Sequence, residues 1–476
     1  MVKKDDLKKF SEKILAYALK NAIEHDGKAQ VGAVLSPLFH EGLEKEQVKK
    51  IMPFVQETLK KVNSMNLEEQ KKLFEKESDE ISHRTEREGL PELPDVPKTG
   101  VVMRIAPSPS GPFHIGHAAT AIPSSLYVKK YGGKFYVRIE DTNPDNIDPK
   151  AYEMIRDEAN WLFGNVHEFY DQSDRMKRYY EFAEELIKKN AAYICDCNPE
   201  KFKELLKDGK PCPCRNLSSK EHIARWEKML DKKGYKEHEA VLLFKSDLKL
   251  ENPALRDFPL ARINETKHPK QGNKYRVWPL MQLSVSVDDI DYGMTHIIRA
   301  KEHRDNALRQ AMIFKVFNKK IPWTAFLGRY NFTDMEISCS KTKKLIKEGK
   351  FSGWDDIRLP FIAALRKRGY QPEAFAKMAE ARGLNEVDKV LSKEDYFQIL
   401  DHYNRELIKD KAKKIEFSEK KMPEFKEIQI LMPDKKIKKG YAKIDKIKDK
   451  DIVYFYGFGY SRYNEKEKIR FWFCHK

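Results

Sequence analysis

The first 88 residues carry apolar side chains at helical spacing. Leu7, Phe10, Ile14, Leu15, Ala18 and Leu19 recur on one helix face and predict a helix over Leu7–Ile23. A second helix is expected from Lys45 to Val62. A third is expected from Leu67 to Ser82, with Asn66 or a near neighbour as its N-cap. In Gly89–Gly100 a proline falls at every third position (Pro91, Pro94, Pro97), a spacing that suits polyproline II and predicts a linker. Beyond it the pattern changes. Val101–Ile105 and Phe135–Ile139 read as strands, and Ala118–Tyr131, Pro149–Trp161 and Asp174–Asn190 as helices. Strands alternating with helices argue for a parallel sheet.

The alternation breaks after Cys195. Residues up to Lys274 hold four cysteines, a helix near Ser219–Lys232 and a short strand at Ala240–Phe244, the look of an insertion. Strand-like chain resumes over Tyr275–Val287 and Met294–Arg299, followed by a helix over His303–Phe317. From Gly353 to about Lys414 the pattern is helical, with Arg358–Arg368, Pro372–Arg382 and Tyr396–Lys413 as elements. The last sixty-odd residues turn β-rich at Ile428–Met432, Ile452–Tyr456 and Ile469–Phe473.

At 476 residues the chain is too long for a single domain, and its composition is that of a soluble globular protein. A net charge of +17 favours a polyanionic partner, nucleic acid above all; the bland alternative is a lysine-rich surface. The charge is uneven, with 21 Lys and Arg against 13 Asp and Glu from Asp401 onward. No uninterrupted apolar run is long enough to span a bilayer, so a cytoplasmic protein without membrane partners is expected. Six cysteines in this length do not make a disulfide framework.

Candidate chemistry concentrates in Arg104-Ile-Ala-Pro-Ser-Pro-Ser-Gly-Pro-Phe-His-Ile-Gly-His117. Here three prolines, two glycines and two histidines occupy a strand-to-helix turn. Unsatisfied N–H groups, the positive end of the helix dipole and two imidazoles suit a nucleotide triphosphate. No Gly-x-Gly-x-x-Gly and no Gly-x4-Gly-Lys-Ser/Thr loop is present, so in a nucleotide-binding fold this turn must hold the phosphates. The stretch resembles the His-Ile-Gly-His signature of class I aminoacyl-tRNA synthetases. Ile337-Ser-Cys-Ser340-Lys341-Thr-Lys343-Lys344 resembles the family's second signature, a lysine loop, in divergent form. Arg104-Ile-Ala-Pro-Ser108, Arg138-Ile-Glu140 and His296-Ile-Ile-Arg299-Ala-Lys-Glu-His303 resemble the glutamate branch, and two arginines on one site suit a ligand with two carboxylates.

What the resemblance implies is specific. His114, His117 and Lys341 would be catalytic, with Lys341 preferred over Lys343 and Lys344 for charge developing on pyrophosphate. Pro107, Gly116, Glu302 and Ser340 would join them around ATP and its Mg2+. Arg104, Ser108, Glu140 and Arg299 would bind L-glutamate, Glu140 at the ammonium and Arg299 favouring a γ-carboxylate over a γ-amide. Relatives often carry a tyrosine where this chain has Met281, so no ligand contact is assigned there. Cys195-x-Cys197 and Cys212-x-Cys214 can supply four thiolates in a tetrahedron, which structural zinc takes. Zinc is preferred to four free buried thiols, with Cys339 and Cys474 left as structural or incidental.

The likeness extends over most of the chain and points to the archaeal-type glutamyl-tRNA synthetases with a shortened anticodon region. The expected fold is α/β multidomain. A helical domain with Pro-rich linker spans 1–97. The halves of a Rossmann-like catalytic domain occupy 98–194 and 275–325, around an acceptor-binding insertion at 195–274. A signature loop and helical tRNA-contact domain spans 326–413, and a reduced β anticodon domain 414–476. The implied partners are tRNA(Glu), with charging of tRNA(Gln) left open, and other synthetases or an amidotransferase meeting the N-terminal helices. The resemblance also implies that tRNA must be bound before the adenylate forms. The competing readings are a glutaminyl-tRNA synthetase, which Arg299 opposes, a stand-alone nucleoside-modifying glutamyl transferase, which the helical and β tail opposes, and an inactive tRNA-binding subunit.

Overall fold

The structure, a computed structural model, describes residues 4–25, 27–40, 43, 47–77 and 89–476. The chain forms two compact units, Met1–Glu86 and Arg87–Lys476. In the first, α1 (Lys4–Glu24) packs against α2 (Val31–His40), α3 (Val48–Asn63) and α4 (Leu67–Glu77). Ile14, Leu19, Val34, Leu38, Ile51 and Val55 make its core. Asn66 caps α4 as expected: the Glu69 N–H donates to its Oδ1 (2.9 Å), and its own N–H donates to Glu69 Oε2 (3.0 Å). The buried Gln70 amide donates to the carbonyls of Val62 (2.9 Å) and Gly27 (3.0 Å), tying α4 to two turns. Helix α2, with Pro37 inside it, falls in the stretch that reads as helical but has no range of its own in that reading. Lys45–Glu46 and 78–82, the ends of two predicted helices, lie outside the described residues.

The second unit opens β1 (Val101–Ile105), α5 (Ile115–Tyr131), β2 (Gly133–Ile139), α6 (Ala151–Phe163), β3 (Glu168–Asp171), α7 (Met176–Lys188). The strands pair in parallel, Val101 facing Gly133 and Tyr136 facing Glu168. β1 and β2 are covered on both faces, which is why they read as near-continuous apolar runs. An antiparallel sheet follows from β4 (Ala192–Cys195), β5 (Val241–Phe244), β6 (Pro259–Ile263) and β7 (Val277–Pro279), with α8 (Pro199–Lys207) and α9 (Ser219–Leu230) between the first two. Next come α10 (Met281–Asp291), β8 (His296–Ala300), α11 (Arg304–Val316) and β9 (Trp323–Leu327), with β8 and β9 parallel. The Thr295 N–H donates to the Val102 carbonyl (3.0 Å), and the Val102 N–H to Thr295 Oγ1 (2.9 Å). These bonds set β8 along the edge of β1 opposite β2.

Two expectations need correction. The strand anticipated over Tyr275–Val287 is a strand only at Val277–Pro279 and then the helix α10. Gln282–Asp289 are buried all round that helix, so no polar face exposes the helical period. The proline-rich stretch is not a free spacer. Leu93 is buried, its N–H takes Tyr131 Oη (3.1 Å), Tyr127 donates to the Pro91 carbonyl (2.7 Å), and Asp95 turns the chain at φ +49°.

The remainder is β10 (Tyr330–Phe332), α12 (Cys339–Lys347), α13 (Ile362–Arg368), α14 (Pro372–Arg382), β11 (Lys389–Leu391) and α15 (Lys393–Ile408). The expected helical run is thus interrupted by β11, which pairs with β10. After these come β12 (Lys413–Ile415), β13 (Phe417–Ser418), β14 (Lys426–Leu431), β15 (Ile437–Ala442), β16 (Ile452–Phe455), β17 (Gly459–Tyr463) and β18 (Phe471–His475). They form one sheet in the order 12-16-17-18-14-15-13 around Ile430, Val453, Phe455 and Phe471. Arg368 on α13 donates to the carbonyls of Phe473 (3.2 Å) and Cys474 (2.7 Å), anchoring β18.

One staple shapes the turn before α5. Glu158 on α6, 3% exposed, accepts the Phe113 N–H at 2.6 Å. On its other side the turn pairs with the chain entering α13: Ile115 N–H to the Pro360 carbonyl (3.1 Å) and Ile362 N–H to the Phe113 carbonyl (3.0 Å). Burial pushes the Glu158 carboxyl up to about 8, against the opposing pull of the Phe113 and Ala363 N–H groups.

Two outcomes follow. Gly133 sits at φ +111°, and a Cβ there would lie 2.0 Å from the Val101 carbonyl oxygen. Gly133→Ala should therefore cost roughly 2–4 kcal/mol, read as a lowered urea midpoint. Because the folded pKa of Glu158 is raised, the stability it contributes is complete below the ordinary value of 4.5 and is lost as pH rises through about 8. Glu158→Gln removes that titration, so the melting temperature of the variant relative to the parent should climb from pH 5 to pH 8 and then level. A difference that stays constant over that range would mean the carboxyl is already ionised at pH 5.

Candidate active site

The C-terminal ends of β1, β2 and β8 meet where the chain departs from β1 in both directions across the sheet, the position at which open α/β sheets bind ligands. A cavity of about 560 Å³ opens there. Arg104, Pro107, Ser108, His114, Gly116, His117, Glu140, Arg299 and Glu302 all line it. Ser340 and Lys341 do not: the segment expected as a loop is here the first turn of α12, where Lys341 is exposed and pairs with Glu336 just before the helix, while Lys343 pairs with Asp148 (3.2 Å). The second loop nevertheless abuts the first turn, with Cys339 Sγ 3.7 Å from the Pro112 carbonyl oxygen. Burial pushes that thiol up to about 11, in keeping with a packing role.

His114 caps α5 in extended conformation. Its Nδ1 accepts the N–H groups of Gly116 (3.1 Å) and His117 (3.3 Å), and its own N–H donates to His117 Nδ1 (3.4 Å). This is a capping box built from two imidazoles, their rings stacked at 3.7 Å. Burial, with the neighbouring His117, lowers His114 to about 2, and burial lowers His117 to about 4. Both are therefore neutral at pH 7. With each Nδ1 an acceptor, the proton rests on Nε2, leaving two Nε2–H donors. Gly116 must be small because a Cβ would lie 3.0 Å from the His114 ring.

The sequence reading missed the carboxylate that organises the cationic side. Asp289 on α10 takes Nε (2.9 Å) and Nη2 (2.8 Å) of Arg104 and Nη1 (2.8 Å) of Arg138. Arg138 also donates to Glu140 Oε1 (3.0 Å). Burial would raise Asp289, but Arg104 and Arg138 outweigh it and hold the carboxyl at about 2. The doublet Asp288-Asp289 was visible in the sequence; reading α10 as a strand hid its direction. Arg299, at the end of β8, has no such partner. Nη1 donates to Gln310 Oε1 (2.9 Å), and no carboxylate among the described residues pairs with it. Burial, then the charge of Arg104, pulls this guanidinium down to about 9, where it is still protonated at neutral pH. Gln310, Arg329 and Arg382 also line the cavity and carried no local signal, since each lies on an element that only folding brings there.

A second cluster lies at the end of β4. Cys195, Cys197, Cys212 and Cys214 place their sulfurs within 4.8 Å of one another, with Cys195 to Cys212 at 3.8 Å and Cys197 to Cys214 at 3.5 Å. A tetrahedral zinc with bonds of about 2.3 Å requires sulfur separations of about 3.8 Å, so the donor set fits that ion. The Cys195 sulfur lowers the Cys212 thiol to about 5 against the effect of burial, and the same contact raises the Cys195 thiol, so the two sulfurs share a proton.

Residues 100–402 match the family described as tRNA synthetases class I (E and Q), catalytic domain. A protein named glutamate–tRNA ligase from Methanocaldococcus jannaschii is 44% identical over 85% of this chain and 72% of its own length. One of that name from Pyrococcus abyssi is 43% identical over 83% and 70%. A crystal structure of a glutamate tRNA ligase from Elizabethkingia meningosepticum aligns at 18% identity with a TM-score of 0.44, covering 65% of this chain and 70% of that one, a likeness too slight to carry weight. On the family match and these identities, the chain belongs to the class I tRNA synthetases of the glutamate and glutamine branch.

Proposed function

We propose that this protein is a glutamate–tRNA ligase, which activates L-glutamate with ATP and transfers the glutamyl group to the terminal adenosine of tRNA(Glu). The observation that carries the reading is Arg299, a cation without a carboxylate partner among the described residues, beside arginines already neutralised by Asp289. A γ-carboxylate completes it, as a γ-amide would not. Arg104 keeps Nη1 for the ligand, and Glu140, with one oxygen on Arg138, offers the other to the ammonium.

The α-carboxylate is ionised near neutral pH, so its attack on the α-phosphorus needs no general base. The new C–O–P linkage forms as the bond to the bridging oxygen breaks, and pyrophosphate leaves with the electron pair. Rate enhancement rests on alignment and charge stabilisation. His114 and His117 donate Nε2–H to phosphate oxygens, the first amides of α5 add positive potential, and Mg2+ accompanies ATP. Lys341, at the start of α12, exchanges Glu336 for the triphosphate when ATP binds. A ribose hydroxyl of bound tRNA then attacks the adenylate carbonyl, releasing AMP. The excess of Lys and Arg after Asp401 supports contact with the tRNA backbone along the C-terminal sheet.

ATP–pyrophosphate exchange in the presence of tRNA should occur with glutamate and not glutamine; exchange with glutamine alone would overturn the specificity, and none at all would favour an inactive subunit. Acylation of tRNA(Glu) and tRNA(Gln) side by side reads which acceptors are used. Lys341→Ala should slow exchange by a factor of about 100 or more while leaving the KM for glutamate within a few-fold. An unchanged exchange rate would remove Lys341 from the chemistry.

We further propose that the four cysteines hold structural zinc. The purified protein should contain one zinc per chain, lost in a Cys195→Ser, Cys212→Ser double variant whose melting temperature falls. Metal-free wild-type protein with an unaltered melting curve would refute the site.

A further inference from the structure

We propose that Gln310 is a specificity-determining residue of the amino-acid pocket, its amide N–H forming with Arg299 Nε a donor-only surface that selects a side-chain carboxylate. This rests on the glutamate reading above and deepens it. Gln310, on α11, is 4% exposed and lines the same cavity as Arg299. Arg299 Nη1 donates to its Oε1 at 2.9 Å. A guanidinium has no acceptor, so the amide orientation is dictated by chemistry: oxygen toward Arg299, nitrogen away.

That orientation leaves a deficit. Gln310 Nε2 and Arg299 Nε are both shielded from water and without a partner among the described residues. Each unsatisfied buried donor is destabilising until an acceptor meets it. Here two fall on one hydrogen-bonded pair at the wall of a ligand cavity. A carboxylate entering the cavity, acceptor at both oxygens, satisfies the two together once the amide and the guanidinium turn these N–H groups toward it. A carboxamide satisfies one and turns its own N–H2 against the other. The pair thus separates acid from amide by hydrogen-bond polarity as well as by charge.

The test compares kcat/KM for glutamate and glutamine in tRNA acylation by the full-length enzyme. Gln310→Glu replaces the donor by an acceptor, so the surface becomes one donor and one acceptor, the complement of a carboxamide. The glutamate kcat/KM should fall at least 100-fold and the glutamine-to-glutamate ratio should rise by the same order, with the KM for ATP unchanged. Gln310→Met keeps the volume and removes both polar ends. It should raise the KM for glutamate roughly tenfold, with kcat within threefold, and reduce discrimination against glutamine about tenfold. If Gln310 merely braced α11, each variant would lower both amino acids alike and leave their ratio where it was, and that result overturns the inference. Should Gln310→Glu fail to fold, as read by its melting curve, the Met variant decides alone. Wild-type enzyme that does not use glutamate would instead overturn the functional reading beneath.

Discussion

Asp289 is the contact on which the site depends. One buried carboxylate binds the guanidinium closing β1 and the guanidinium near the end of β2, and it projects from a third element, α10. Removed from water alone, such a charge would carry a penalty of several kcal/mol. Two guanidiniums with well-placed donors offset it and hold the carboxyl at about 2. Because α10 precedes β8, the same contact relates the two sides of the sheet opening. It also determines the electrostatic character of the cavity. Arg104 and Arg138 are largely neutralised, whereas Arg299 is left to a neutral amide.

The side of the cavity formed by the turn before α5 follows a different logic, built from backbone rather than charge. The turn before α5 is held by Glu158 from α6 and by a short antiparallel pairing with the chain that enters α13. Within it, the two histidines cap the helix with their Nδ1 atoms and are too buried to protonate at neutral pH. Their capping role and their availability as Nε2–H donors are one arrangement. Cys339 brings the second loop against this turn, so the two signature segments, more than 200 residues apart, share a border.

Away from the cavity, local pattern was a good guide wherever one face of an element meets solvent. The amphipathic α1, α7 and α14 were legible on that ground, as was the Asn66 cap. It failed where burial is complete or contacts are remote. α10 has no polar face to betray its period. The prolines of Gly89–Gly100 have polyproline spacing, yet Tyr127, Tyr131 and His296 capture the segment's backbone groups and dock it. Short strands such as β12 and β13 exist because a partner across the sheet completes them.

The family, the two signature segments and the residues suited to phosphate and carboxylate were legible from residue type at short spacing alone. So was the arrangement of four cysteines in two close pairs. Which arginine is left to meet a ligand became visible only in the folded arrangement. That outcome depends on where the single carboxylate of Asp289 lies relative to Arg104, Arg138 and Arg299. Hydrogen-bond geometry over a few ångströms, between residues as far apart as 185 positions in the chain, is set by packing and leaves no mark in local pattern.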